Sequence, residues 1–438
     1  MIKITFLGAG STIFAKNVLG DIILTHTITN IELALFDIDY ERLTDSECML
    51  NIILKNSKRA DIKIIAYTDR KEALFSAKYV INAIQVGGYD PCTITDFEIP
   101  KKYGLRQTIG DTLGVGGIFR GLRTIPVLEK FAEDMTICCK NALLINYTNP
   151  MAILSGFMQR YTSINTIGLC HSVQGCVKGL LESVGLESLV GKVKWEIAGI
   201  NHQAWLLKIE DMQNNDLYPE IKTRSLSGNH DTTIAWDKVR HYMMHNFGYY
   251  NTESSEHTSE YNPYFIKKSY PELIDKFSVP LDEYPRRCKK QIAEWTEIRE
   301  KLVGNKDLNH KLSNEFAAPI INSIENDIPC RIHGNTLNKN LITNLPQNAC
   351  VEVPCMVDRN GVNPCIVGSL PEQCAALNWT NITVQLLTIE AAVTRTRDKI
   401  YQAAFLDPHT SSELTMDMIK QLCDDLIRAH KGWLPDFH

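Results

Sequence analysis

Nothing in this 438-residue sequence approaches the roughly 20 consecutive apolar residues that cross a membrane as a helix. Basic blocks are missing too: 46 Lys and Arg face 51 Asp and Glu, a formal net charge of −5. Nucleic acid and anionic membranes are therefore poor partners. There are no internal repeats, low-complexity tracts or Pro/Gly-rich linkers, so any second domain should pack tightly on the first. The opening "MIKITFLGAGST" lacks the basic region, long apolar core and small-residue cleavage site of a secretory signal, and a cytoplasmic location is expected. There the 13 cysteines, an odd number, should stay reduced. Four of them, Cys350, Cys355, Cys365 and Cys374, crowd one region, but without the tight pairs of a zinc ribbon.

What is present begins with material for a large core: 44% of the residues are hydrophobic and 22% charged. "IKITFLGAGST" is an apolar strand running into glycines. "TIFAKNVLGDIILT" follows with helical spacing of Ile13, Val18, Ile22 and Ile23. Then "IELALFDID" is a second apolar strand ending in an acid. This βαβ unit is suited to a dinucleotide. Gly8 and Gly10 allow a tight turn near a pyrophosphate, Ser11 and Thr12 open the helix whose N–H groups would face it, and Asp37 stands where a ribose hydroxyl is held. An acid there favours NAD+ over its 2′-phosphorylated form. The third glycine of the full fingerprint is replaced by Ile13.

The strands "IKIIAYT", "YVINAIQ", "ALLINYTN" and "NTIGLC" alternate with helix-like stretches. The expectation is α/β: a Rossmann-type doubly wound parallel sheet over residues 1–195. Ligands of such sheets bind at the carboxyl ends of strands, where Gln85, Asn149, Cys170 and His171 fall. After about residue 195 the pattern changes, and residues 196–438 are expected to form a second, α+β domain. "KWEIAGINHQAWLLKIE" alternates like antiparallel strands, with Asn201 and His202 near its middle. Residues 221–235 read as a loop or cover. "TESSEHTSEYNPYFIK" is dense in ionisable groups, and "ELTMDMIKQLCDDLIRAH" places Ile419, Leu422 and Leu426 on one helix face, for the core or a dimer contact. Cys170 and His202 could hold a divalent metal, leaving positions open for substrate oxygens. Each could equally be an ordinary core residue.

Nine ordered segments carry a resemblance that runs essentially end to end: "ITFLGAGSTIFAKNVLGDI", "QVGGYDPCTITDFEIPKKYGL", "TIGDTLGVGGIFRGLRTIP", "NYTNPMA", "GLCHSVQG", "AGINHQAW", "TESSEHTSEYNPYFIK", "LDEYPRRC" and "DPHTSSEL". The sequence resembles glycoside hydrolase family 4, the NAD- and manganese-dependent glycosidases, and within it the α-galactosidase type. The resemblance implies NAD+ and Mn²⁺ as cofactors, an α-galactoside as substrate, and a homodimer or homotetramer. It implies Cys170 and His202 as manganese ligands, and Asn149, Asn201 and Arg286 (or Arg287 beside it) as substrate contacts. His171 would be the acid that assists the leaving group, Tyr261 the general base with Tyr264 in reserve, and Asp111 the acid that makes the tyrosine more basic. The reaction implied is hydrolysis by oxidation at C3, elimination across C1–C2, addition of water and reduction. α-Glucosides and α-galacturonides are alternative substrates, and a simple NAD-dependent 2-hydroxy acid dehydrogenase is the alternative that the fold alone permits.

Overall fold

The computed structural model describes residues 1–226 and 236–438. Its twelve strands are β1 (Ile2–Leu7), β2 (Ile31–Phe36), β3 (Ile62–Tyr67), β4 (Tyr79–Asn82), β5 (Leu143–Asn146), β6 (Thr166–Gly168), β7 (Val193–Ile200), β8 (Gln203–Asp211), β9 (Tyr250–Asn251), β10 (Cys330–Leu337), β11 (Cys350–Asp358) and β12 (Gly361–Pro364). They form one sheet in the order β3-β2-β1-β4-β5-β6-β10-β11-β7-β8-β9, with β12 beside β11.

The first six strands are parallel. Their apolar runs are explained by burial on both faces. Neighbouring residues alternate between two cores. Ile4, Phe6, Leu33, Leu35, Ile81 and Ile145 face one, with Val18, Leu19 and Ile22 of the helix Thr12–Leu24. Leu7, Phe36, Val80 and Leu144 face the other, against the helices Gly114–Cys138 and Met151–Tyr161. Ile419, Leu422 and Leu426 of the helix Met416–Ala429 complete this second core, so that helix face is interior to the chain.

The change of pattern near residue 195 is not a change of sheet. The expected boundary falls inside β7, and the later strands extend the same sheet antiparallel from β6 through β10. Residues 221–226, expected in a loop, continue the helix Tyr218–Leu226, and the rest of that stretch lies outside the described residues. Cys350 and Cys355 are buried within β11, and Cys374 is buried on the helix Glu372–Thr394. All three are core residues.

A buried ionic knot secures the loop after β4. Both Asp96 oxygens accept from Arg123, at 3.2 and 2.7 Å, and His430 Nε2 lies 2.8 Å from Asp96 Oδ1. Arg123 Nε also donates to the Val86 carbonyl at 3.1 Å. Asp96→Ala would leave the Arg123 charge buried without its partner. It is expected to cost about 3–5 kcal/mol of stability. Urea denaturation measures this, and an unchanged midpoint would refute it.

Candidate active site

The parallel strands deliver the expected residues to one edge. Gly8, just after β1, has φ +91°, and a Cβ there would lie 2.7 Å from the Ala83 carbonyl oxygen. Only glycine suits both the conformation and the approach. Gly10 donates its N–H to Asp37 Oδ2 at 2.7 Å, and a Cβ would lie 2.8 Å from that oxygen. Asp37, beyond β2, thus shapes the glycine turn. Its other oxygen accepts the Asp39 N–H at 2.9 Å. Ser11 is exposed at the start of the helix and makes no side-chain cap. Thr12 begins the helix, and its side chain is buried, with the hydroxyl 3.1 Å from the Ser46 hydroxyl that donates to it. It ties two helices together and does not face outward. Gln85, after β4, is within 3.4 Å of both the Thr93 and Tyr284 hydroxyls.

Asn201 and His202 occupy the two-residue turn between β7 and β8. His202 has φ +62°, a conformation such turns usually give to glycine or asparagine. The histidine held there is buried at 3% exposure. Neither amide atom of Asn201 nor Nδ1 of His202 has a hydrogen-bond partner, although all three are buried.

Around His202 the fold assembles a cluster. The His257 ring lies 4.2 Å from it, centroid to centroid, and the Tyr261 ring 6.3 Å. His257 sits 3.3 Å from Glu253 Oε2 and 3.8 Å from Asp111 Oδ1. Asp111 in turn accepts from Asn149 Nδ2 at 3.3 Å and from Thr112 Oγ1 at 2.6 Å, with Arg120 at 3.9 Å.

Electrostatics sort these groups. Burial opposes charge on His257, but Glu253 and Asp111 outweigh it and hold the imidazolium well above its ordinary range. Burial and the neighbouring His257 charge lower His202 to about 4, so its ring is neutral at physiological pH. Asp111 is kept ionised against burial by His257 and Arg120. Burial, then Asp111 and Glu260, push Tyr261 well above the usual phenol range. Its hydroxyl has no hydrogen bond of good geometry, although Thr112 is near enough to oppose the shift. Tyr264, by contrast, is 46% exposed and packs on Phe247 and Phe265, which removes it as the reserve base.

Cys170 follows β6, and its burial with Glu352 and Glu253 nearby pushes the thiol up to about 12. Glu253 also bears on His202, and Cys170 on Tyr261, so the two expected ligands share one electrostatic neighbourhood. Among the described residues no third His, Cys, Asp or Glu joins them in a ready-made metal cage. His171 starts the helix Ser172–Ser183 with its side chain half exposed. Its Nε2 lies 2.7 Å from buried Glu315, which raises its pKa, and its ring stacks on Tyr147 at 6.2 Å.

Arg286 is not brought to the cluster. It bonds to the Leu281 carbonyl and to Glu283 on an exposed helix, because Glu283 lies three residues before it on the same face. Arg287 comes nearer, bonding Glu256 at 3.0 Å, beside His257. Sequence reasoning missed His257, Glu253 and Arg120 individually. The density of ionisable groups in "TESSEHTSEY" was the available signal for the first two.

A parallel sheet with a glycine turn at its strand ends, together with a buried tyrosine–histidine–carboxylate cluster, is the arrangement of an enzyme acting on a small polar substrate. Residues 3–186 match the model of "Family 4 glycosyl hydrolase" and residues 197–410 that of "Family 4 glycosyl hydrolase C-terminal domain". The chain is 57% identical over 437 residues to an alpha-galactosidase of Bacillus subtilis (strain 168), covering 100% of both. It is 31% identical over 447 residues to an alpha-galactosidase of Rhizobium meliloti (strain 1021), covering 99% of this chain and 89% of that one. A solved 6-phospho-alpha-glucosidase from gut microorganisms, in complex with NAD and Mn²⁺, shares the fold at a TM-score of 0.82, 20% identity and full coverage of both chains. The chain belongs to glycosyl hydrolase family 4. Among the described residues no helix is long and apolar enough to cross a membrane.

Proposed function

We propose that this chain is an α-galactosidase that hydrolyses α-galactosides by oxidation, elimination, addition and reduction, with NAD+ and Mn²⁺ as cofactors. The observation that carries the reading is the buried Tyr261, its hydroxyl without a good hydrogen bond, between neutral His202 and ionised Asp111. Burial and Asp111 keep the phenol protonated and make its phenolate a strong base; with a cation bound nearby to favour loss of the phenol proton, the phenolate so placed can take a proton from carbon. The full-length 57% identity to an α-galactosidase supports galactose over glucose or galacturonic acid.

The residues present fit both cofactors. Gly8 and Gly10 let the turn pack tightly on Ala83 and Asp37, where a Cβ on either would clash, and the helix Thr12–Leu24 starts directly after it, as a dinucleotide turn requires; Asp37 is the acid that would hold the ribose. Cys170 and His202 supply one sulfur and one neutral imidazole, with His202 Nδ1 free of any partner. When bound, the dinucleotide would take and return the hydride at C3 and the cation would acidify the neighbouring C2–H.

The chain's own residues do the rest. Tyr261 takes the C2 proton, and Asp111 beside it strengthens the phenolate as a base. Asn149 and Arg120 hold Asp111, and Asn201 offers both amide atoms to sugar hydroxyls. His171, half exposed and oriented by Glu315, is placed to protonate the departing oxygen. Arg287, through Glu256, is better placed than Arg286 to approach the sugar. A cytoplasmic location and a homodimer or homotetramer belong to the same reading, and light scattering of the purified chain measures the second.

Release of aglycone from a chromogenic α-galactoside, with and without NAD+ and Mn²⁺, tests the activity. A simple dehydrogenase would accumulate NADH and release none. For the cofactor site, Asp37→Ala should weaken NAD+ binding by about 1.5–3 kcal/mol, roughly 10- to 150-fold in Kd. Titration calorimetry reads this directly, and an unchanged Kd would reject the role.

A further inference from the structure

We propose that Glu260 is a positioning residue that fixes the Asp111-bearing loop against Tyr261. The inference rests on the reading of Tyr261 as the base. Glu260 ends the short helix Ser255–Glu260, is 6% exposed, and directly precedes Tyr261. Its Oε1 accepts the backbone N–H groups of Thr108 at 2.6 Å, Ile109 at 3.1 Å and Gly110 at 3.1 Å. Its Oε2 also accepts from Gly110, at 3.1 Å. One carboxylate thus gathers three consecutive amides, and the next residue along is Asp111.

The two ends of this tie are the two groups whose spacing matters. On one side it holds the backbone that leads into Asp111, and on the other it is covalently continuous with Tyr261. A second bond joins the same segments, from Thr108 Oγ1 to the Glu256 carbonyl at 2.8 Å. Other anchors of the loop run elsewhere. Gln107 Oε1 accepts the Gly116 N–H at 3.3 Å, and the Thr108 carbonyl accepts the Tyr284 N–H at 3.1 Å. From the far side, Asn381 Nδ2 reaches the Tyr261 carbonyl at 3.2 Å and Gln203 Oε1 at 2.8 Å, next to His202. Tyr261 is therefore held between the His202 turn and the Asp111 loop, and Glu260 makes the second of these attachments.

Glu260→Gln keeps the shape but turns an N–H₂ toward the Gly110 N–H, donor against donor. The loop should shift. Misplacement of a reacting group by about 1 Å can cost roughly 10²-fold. The expected result is a kcat lower by roughly 10- to 100-fold with KM nearly unchanged. The isotope effect on kcat with a C2-deuterated chromogenic α-galactoside should rise, because proton removal becomes more rate-limiting. Glu260→Asp, with both acceptors but one methylene less reach, should recover part of kcat. Circular dichroism at the assay temperature confirms folding of the NAD+- and Mn²⁺-loaded protein, and Glu260→Asp serves alone if the Gln variant does not fold.

A folded variant with wild-type kcat overturns the proposal. So does a fall in kcat with an unchanged isotope effect, which would reflect fewer active molecules and not a displaced base. The Tyr261 reading fails differently: Tyr261→Phe would keep full activity, and the wild type would show no sensitivity to deuterium at C2.

Discussion

Replacing Tyr261 by Phe is expected to lower kcat by roughly 10²- to 10⁴-fold, the range for loss of a positioned general base. Binding of NAD+ and Mn²⁺ should hardly change. The substitution is clean because the Tyr261 hydroxyl is buried without a hydrogen bond of good geometry. Removing a poorly partnered buried hydroxyl costs little stability and can even add some. A fall in kcat would therefore report chemistry and not unfolding. Tyr264→Phe, at an exposed position packed on Phe247 and Phe265, should retain activity. The companion result concerns the wild type. Turnover of an α-galactoside in D₂O should place deuterium at C2 of the released sugar, read by NMR. A hydrolase with two carboxylates never breaks that C–H bond. A fully active Tyr261→Phe variant, or turnover with neither label at C2 nor any need for NAD+, would sink the mechanism.

His202→Ala and Cys170→Ser should each weaken Mn²⁺ binding by more than the roughly 10- to 100-fold lost when an outer-sphere partner is removed. Electron paramagnetic resonance of free Mn²⁺ measures this without reference to activity. The argument for His202 is geometric. A buried imidazole in a left-handed turn position, neutral and with Nδ1 unpartnered, has no structural task that explains it. For Cys170 the argument is chemical. Burial disfavours its thiolate, so the anion should form only as the cation arrives. Activity should then depend on a reductant, and Mn²⁺ should protect it, because an oxidised sulfur is a poor ligand. Wild-type Mn²⁺ affinity in both variants would end the metal assignment.

The front half was legible because parallel strands buried on both faces write themselves as unbroken apolar runs, as in Ile31–Phe36. The glycine turn was legible because Gly8 and Gly10 answer to backbone geometry. The Asn201–His202 hairpin showed as alternation. The cluster was harder to read. Asp111, His202 and His257 come from three separate stretches that only tertiary folding brings together, and no spacing in the chain encodes a 4.2 Å ring contact. Arg286 misled because an arginine near a motif looks functional, whereas Glu283 on its own helix and the Leu281 carbonyl just before that helix hold it locally. The shift from parallel to antiparallel pattern suggested a domain edge. Strand pairing follows unfilled hydrogen bonds, however, and β10 fills those of β6.

That pairing has a price during synthesis. Gly168, at the end of β6, leaves the ribosome long before Cys330, where β10 begins. At ~5–20 residues per second, the open edge of β6 waits roughly ten to thirty seconds for its partner. Unpaired edges invite pairing with other chains. The nascent front half, though rich enough in apolar contacts to collapse alone, is thus exposed to misassembly until the last third of the chain emerges. Crowded expression and slow translation should both penalise this protein at that seam.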